Sequence, residues 1–125
     1  MKVLFLDDSI DRVKKFKQLV INHSITHVVT AEEAIKSLDK EAFDVIMLDH
    51  DLAEEHYNNP NHNLKGTGKD VAIHLAKNAE KFEDALILVH SLNEPGSVRM
   101  IGIMEQAGLN ATREPFIWMS EQRLR

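Results

Sequence analysis

Val45-Ile46-Met47-Leu48-Asp49-His50-Asp51 is the stretch on which the fold of this chain turns. Its apolar residues run without a polar interruption and then stop at an acid, an imidazole and a second acid. A strand exposed on one face alternates apolar with polar, so a short unbroken run describes a strand buried on both faces, as inside a parallel sheet. Two other runs share the form. Val3-Leu4-Phe5-Leu6 ends in Asp7-Asp8, and Leu86-Ile87-Leu88-Val89 ends in His90-Ser91-Leu92-Asn93. A fainter strand is expected at His27-Val28-Val29-Thr30 and a last one near Asn110-Ala111-Thr112.

Helical spacing fills the intervals. Ser9 suits an N-cap, and Ile10, Val13, Phe16, Leu19 and Val20 line one apolar stripe. Thr30 and Glu33 have capping-box spacing ahead of Ala31, Ala34, Ile35 and Leu38. Gly68, Val71, Ala72, Leu75, Ala76 and Ala79 make a third helix, and Pro95 and Gly108 suit the first turn and the C-terminal cap of a fourth. A short fifth follows Pro115. Strands alternating with helices imply an α/β fold: a doubly wound, five-stranded parallel sheet covered on both sides, in three α/β/α layers. One domain is expected over residues 1–125, with no output domain. A long polar loop, Ala53 to Thr67, breaks the rhythm with four Asn, two His, a Pro and a Gly. Loops of that length inside compact domains are either functional lids or disordered segments, and both readings stay open.

Composition narrows the function. The 125 residues carry a formal charge of −5, so no diffuse basic surface exists to hold a nucleic-acid backbone, and a phosphate ligand needs a local positive element. Without cysteine, disulfide frameworks, thiolate zinc sites and cysteine nucleophiles are excluded. No apolar span is long enough for a membrane helix or a signal peptide, and a cytoplasmic protein is expected.

In open α/β sheets, ligands bind beyond the carboxyl ends of the strands, and here those ends bring acids, imidazoles and a hydroxyl to one edge. Crowded carboxylates repel one another and need protons or a cation to persist. For oxygen donors without thiols, Mg²⁺ or Mn²⁺ is the economical choice. Asp8 or Ser9 acting only as helix caps is the bland alternative.

These residues resemble a known family. Phe5-Leu6-Asp7-Asp8-Ser9, Phe43-Asp44-Val45-Ile46-Met47-Leu48-Asp49, Leu86-Ile87-Leu88-Val89-His90-Ser91, Ala107-Gly108 and Pro115-Phe116 look, in order, like the signature of two-component receiver domains, over nearly the whole chain. The resemblance implies a flavodoxin-like fold in which Asp7, Asp8 and Asp49 hold Mg²⁺, Asp49 is also the phosphoacceptor, and the backbone carbonyl of Asp51 completes the site. There are departures. His90 precedes Ser91 where receivers place a Thr or Ser, Glu114 stands in the place of a Lys, and the glycine after the phosphoacceptor is delayed to Gly66 or Gly68. A phospho-aspartate would lose its usual cation, unless Arg113 reaches it by another path.

Leu48-Asp49-His50-Asp51-Leu52 and His90-Ser91-Leu92-Asn93 are similar to motifs of a divergent receiver subset associated with cyclic-phosphate processing. Imidazoles divide acid and base duties well near neutral pH, and a metal ion polarises a phosphoryl oxygen or activates water. Three functions follow. The first is a metal-dependent phosphohydrolase or cyclic phosphodiesterase acting on a phosphate ester of a small molecule, nucleotide or RNA end. Its catalytic candidates are Asp49, His50, His90 and Ser91, and its metal ligands Asp7, Asp8, Asp49 and Asp51. The second is a stand-alone response regulator phosphorylated on Asp49 that acts on a signalling partner protein, and the third a non-catalytic adaptor. Among the other imidazoles, His74 lies off its apolar stripe and is expected to face water, His23 and His27 flank a connection and are read as structural, and His56 and His62 sit in the long loop.

Overall fold

A computed structural model describes residues 2–19, 23–49, 67–90 and 94–113. The expectations for His50, Asp51, the loop from Ala53 to Gly66, Ser91, Glu114 and the helix after Pro115 lie outside them. In chain order the elements are β1 (Lys2–Leu6), α1 (Ile10–Leu19), β2 (Ser24–Val28), α2 (Ala31–Lys40), β3 (Val45–Leu48), α3 (Gly68–Lys77), a 3₁₀ turn (Ala79–Phe82), β4 (Leu86–Val89), α4 (Glu94–Gln106) and β5 (Ala111–Arg113). The five strands are parallel in the order β2-β1-β3-β4-β5. From β1 the sheet grows one way to β2 and the other way to β3, which opens a crevice at their carboxyl ends.

The three apolar runs are buried throughout or nearly so because helices cover both faces. Alternation divides them. Val3, Phe5, Val45, Met47 and Leu88 pack against Val13 and Phe16 of α1. Leu4, Leu6, Ile46, Leu48, Ile87 and Val89 pack against Leu38 of α2, Leu75 of α3, and Met100 and Met104 of α4. Ile10, expected on the stripe of α1, is instead 66% exposed, and the stripe is buried from Val13 to Phe16.

The second strand begins three residues earlier than its apolar residues indicated and ends two earlier, at Val28. The register Lys2↔Ser24 to Leu6↔Val28 sets its span, and Thr30 is taken up as the N-cap of α2, its hydroxyl accepting from the Glu33 N–H. Thr67 caps α3 through a reciprocal box with Asp70. His74 is not turned to water: its side chain is only 21% exposed, and its Nε2 lies 2.9 Å from Asp39 Oδ1, linking α3 to α2. Among the described residues no helix is long and apolar enough to cross a membrane.

The end of α4 is a Schellman arrangement. Leu109 N–H donates to the Met104 carbonyl, Gly108 N–H donates to that of Glu105, and Gly108 sits at φ +87°. A methyl group there meets nothing within 4 Å, so the cost of Gly108→Ala is backbone strain alone. It is expected to be about 1 kcal/mol. Urea unfolding should show a lower midpoint with an unchanged slope.

Candidate functional site

The site follows from strand register. Leu6 pairs with Leu48, and Leu48 with Val89, so the residues just after them fall in one row. The ladder continues into that row, with Asp49 N–H donating to the Leu6 carbonyl and His90 N–H to that of Leu48. Side chains alternate along a strand, so Asp7, Asp49 and His90 continue the series that includes Phe5, Met47 and Leu88, toward α1. Neighbouring strands lie ~4.8 Å apart, which brings the three together. Their ligand atoms fall within 4.8 Å of one another, and the residues are 0%, 4% and 2% exposed. Two carboxylates and an imidazole at that separation are suited to a shared cation. Asp8 is half-buried and outside this group.

Asp7 is the best-held member. Its Oδ1 accepts from Ser9 N–H (2.8 Å) and Arg12 Nη2 (2.9 Å), and its Oδ2 from Arg12 Nε (2.7 Å) and His90 Nε2 (3.0 Å). Burial pushes the Asp7 pKa up, but the bonds from His90, Arg12 and Ser9 outweigh it and leave the pKa at about 2. Asp7 is therefore an anion at neutral pH, and the His90 nitrogen facing it carries the proton. Phe5 stacks on the imidazole at a centroid distance of 5.0 Å and on Phe16 at 4.5 Å, fixing the ring plane.

One residue of this site was not anticipated. Arg12, from the first turn of α1, makes the paired bonds to Asp7 and also brings Nη2 to 3.3 Å from Asp49 Oδ2. Asp7 raises the pKa of this guanidinium, with further contributions from Asp49 and Asp8. His27 is structural, as expected: it donates its Nε2–H to the backbone carbonyl of Asp7 at 2.7 Å and so holds the turn that carries the acid. The position of Arg12 carried a signal: a cation in the first turn opposes the helix dipole, and a broken local rule often marks a functional residue.

Residues 2–106 match the family described as the cyclic-phosphate processing receiver domain. The chain belongs to that family. Among solved structures it is similar to the signal receiver domain of a protein described as a LuxO repressor from Vibrio parahaemolyticus, at 23% identity and a TM-score of 0.66 over 98% of this chain and 82% of that one. It is also similar to a CheY-like receiver domain from Methanospirillum hungatei, at 16% and 0.67 over 98% and 86%. Chemotaxis protein CheY4 of Vibrio cholerae gives 17% and 0.64 over 98% and 91%. These likenesses bear on the fold, which is that of receivers, as the sequence resemblance implied. No curated protein sequence matches the chain.

Ionised Asp7 gives a pH prediction. Its folded pKa, about 2, lies below the 3.8 of an ordinary Asp, so its contribution is fully present above pH 3.8 and is lost as pH falls toward 2. The size is about 2 kcal/mol. Acid unfolding followed by circular dichroism should show this loss, and Asp7→Asn should flatten the stability profile across the same interval.

Proposed function

We propose that this domain binds Mg²⁺ or Mn²⁺ in the pocket of Asp7, Asp49 and His90 and processes a phosphate ester, with the cyclic phosphate of a nucleotide or RNA end as the substrate class. The observation that carries the proposal is the convergence of these ligand atoms within 4.8 Å, in a chain of the cyclic-phosphate processing receiver family. The donor set fits the ion. Ionised Asp7 and buried Asp49 supply hard oxygens of the kind Mg²⁺ and Mn²⁺ take, and the His90 ring beside them is left for proton transfer. When bound, the ion supplies charge stabilisation to a phosphoryl oxygen.

The chain's own residues supply the rest. Ionised Asp7 accepts from Nε2 of His90, so that nitrogen carries a proton. An imidazole held by a buried carboxylate and kept in one plane by Phe5 is equipped to accept a proton from water or return one to a departing oxygen. His50, Asp51 and Ser91 belong by sequence to the same edge, as neighbours of Asp49 and His90, and are proposed to complete the pocket.

The second reading, a response regulator phosphorylated on Asp49, draws on the position of that buried acid at the end of β3 in a receiver fold. Phosphorus-31 NMR separates the two. With Mg²⁺ and a 2′,3′-cyclic nucleotide, the protein is expected to open the ring catalytically. His90→Ala should lower the rate by about 100-fold or more, the usual scale for losing a general acid or base, and Asp49→Asn should abolish metal dependence. Stoichiometric acyl phosphate from acetyl phosphate, absent in Asp49→Asn and without ring opening, would establish the regulator instead. Silence toward both donors would leave an adaptor.

A further inference from the structure

We propose that Arg12 is the resident counter-ion of the acidic pocket: a divalent cation enters by displacing its guanidinium from Asp7 and Asp49, and the displaced guanidinium then binds the phosphoryl oxygens of the substrate. The inference rests on the metal-binding reading above and assigns that site a residue which both opposes the metal and helps the ester.

Three observations carry it. Arg12 makes two of the four hydrogen bonds to Asp7 and reaches Asp49 with the same Nη2, so it bridges two members of the proposed ligand group. A dication on those oxygens needs the lone pairs that Arg12 holds, and two cations cannot share them at contact distance. The exposures also differ. The side chains of Asp7 and Asp49 are 0% and 6% exposed, whereas that of Arg12 is 36% exposed and enters from the rim. The acids cannot move without opening the sheet edge, while the arginine can swing outward on its own side chain. The third observation is placement, for Arg12 stands in the first turn of α1, where a cation opposes the helix dipole. Its attraction to the acids offsets that cost while it stays. Once displaced, a planar guanidinium beside the pocket is matched to two phosphoryl oxygens.

The competition predicts effects of opposite sign, which a merely structural arginine would not give. Mn²⁺ affinity is measured by electron paramagnetic resonance on the full chain, for the wild type, Arg12→Gln, Arg12→Lys and Asp49→Asn. Inorganic phosphate binding at saturating Mg²⁺ is followed by phosphorus-31 NMR line broadening. Arg12→Gln is expected to bind Mn²⁺ about tenfold tighter, and to bind phosphate about tenfold more weakly. Arg12→Lys, which keeps the charge and loses the paired geometry, should shift both in the same directions by less, and it serves alone if Arg12→Gln does not fold. Equal or weaker Mn²⁺ binding in the Arg12 variants, with wild-type binding lost in Asp49→Asn, would overturn the competition and leave the metal site standing. Unchanged phosphate binding would overturn the second role of Arg12. Failure of the wild type and every variant to bind Mn²⁺ would overturn both this inference and the metal-binding reading.

Discussion

A carboxylate with no exposed surface at the end of a buried strand has to be compensated from within the protein, and Asp7 imposes that demand here. Three groups from two chain segments meet it: the backbone of Ser9 just before α1, the guanidinium of Arg12 in its first turn, and His90 at the end of β4. Together these bonds tie the start of α1 and the end of β4 to the same two oxygens. Charged hydrogen bonds of this kind hold Asp7 ionised despite burial, so the pocket is negative before any ligand arrives. His27 adds a fourth tie at the backbone carbonyl, from the neighbouring strand β2. Few structural changes at this edge can leave Asp7 undisturbed.

The pocket is otherwise a consequence of parallel pairing. Because β1, β3 and β4 run in register, their last apolar residues align, and the next residue of each faces α1 in a row set by the strand spacing. No loop has to fold back to assemble Asp7, Asp49 and His90. Below them, Phe5 and Phe16 occupy the same face and give the imidazole an aromatic floor. The apolar layer that stabilises the domain thus also sets the plane of the His90 ring.

This explains which parts were legible in the sequence. Continuous apolar runs announced β1, β3 and β4, and the polar residues ending them announced Asp7, Asp49 and His90, because strand ends and ligand edge coincide in this architecture. The start of β2 was not legible: its pairing residues Ser24, Ile25 and Thr26 are half-covered or exposed, and pairing with β1 rather than hydrophobicity fixes them. The contribution of His27 was hidden for a related reason, since it binds a backbone carbonyl twenty residues away and leaves no motif. Arg12 could be reached only by asking why a cation sits against a helix dipole. His74 shows the limit of the apolar stripe, which says what lies in the core but not which polar residue finds a partner on the next helix.

The same partition of burial separates anchors from moving parts. Asp7 is held by four hydrogen bonds and lies wholly inside, so it can serve only as a fixed anion. Arg12 is partly exposed and rooted in the first turn of a helix, so it can change partners without disturbing the sheet. Asp49 contacts the guanidinium at 3.3 Å rather than the shorter distances that Asp7 commands, so of the two acids it would lose less if the guanidinium left. A ligand drawn to this pocket would therefore act first on the contact between Arg12 and Asp49. That contact joins the first turn of α1 to the end of β3, so the helix and the acidic pocket are coupled through one partly exposed side chain.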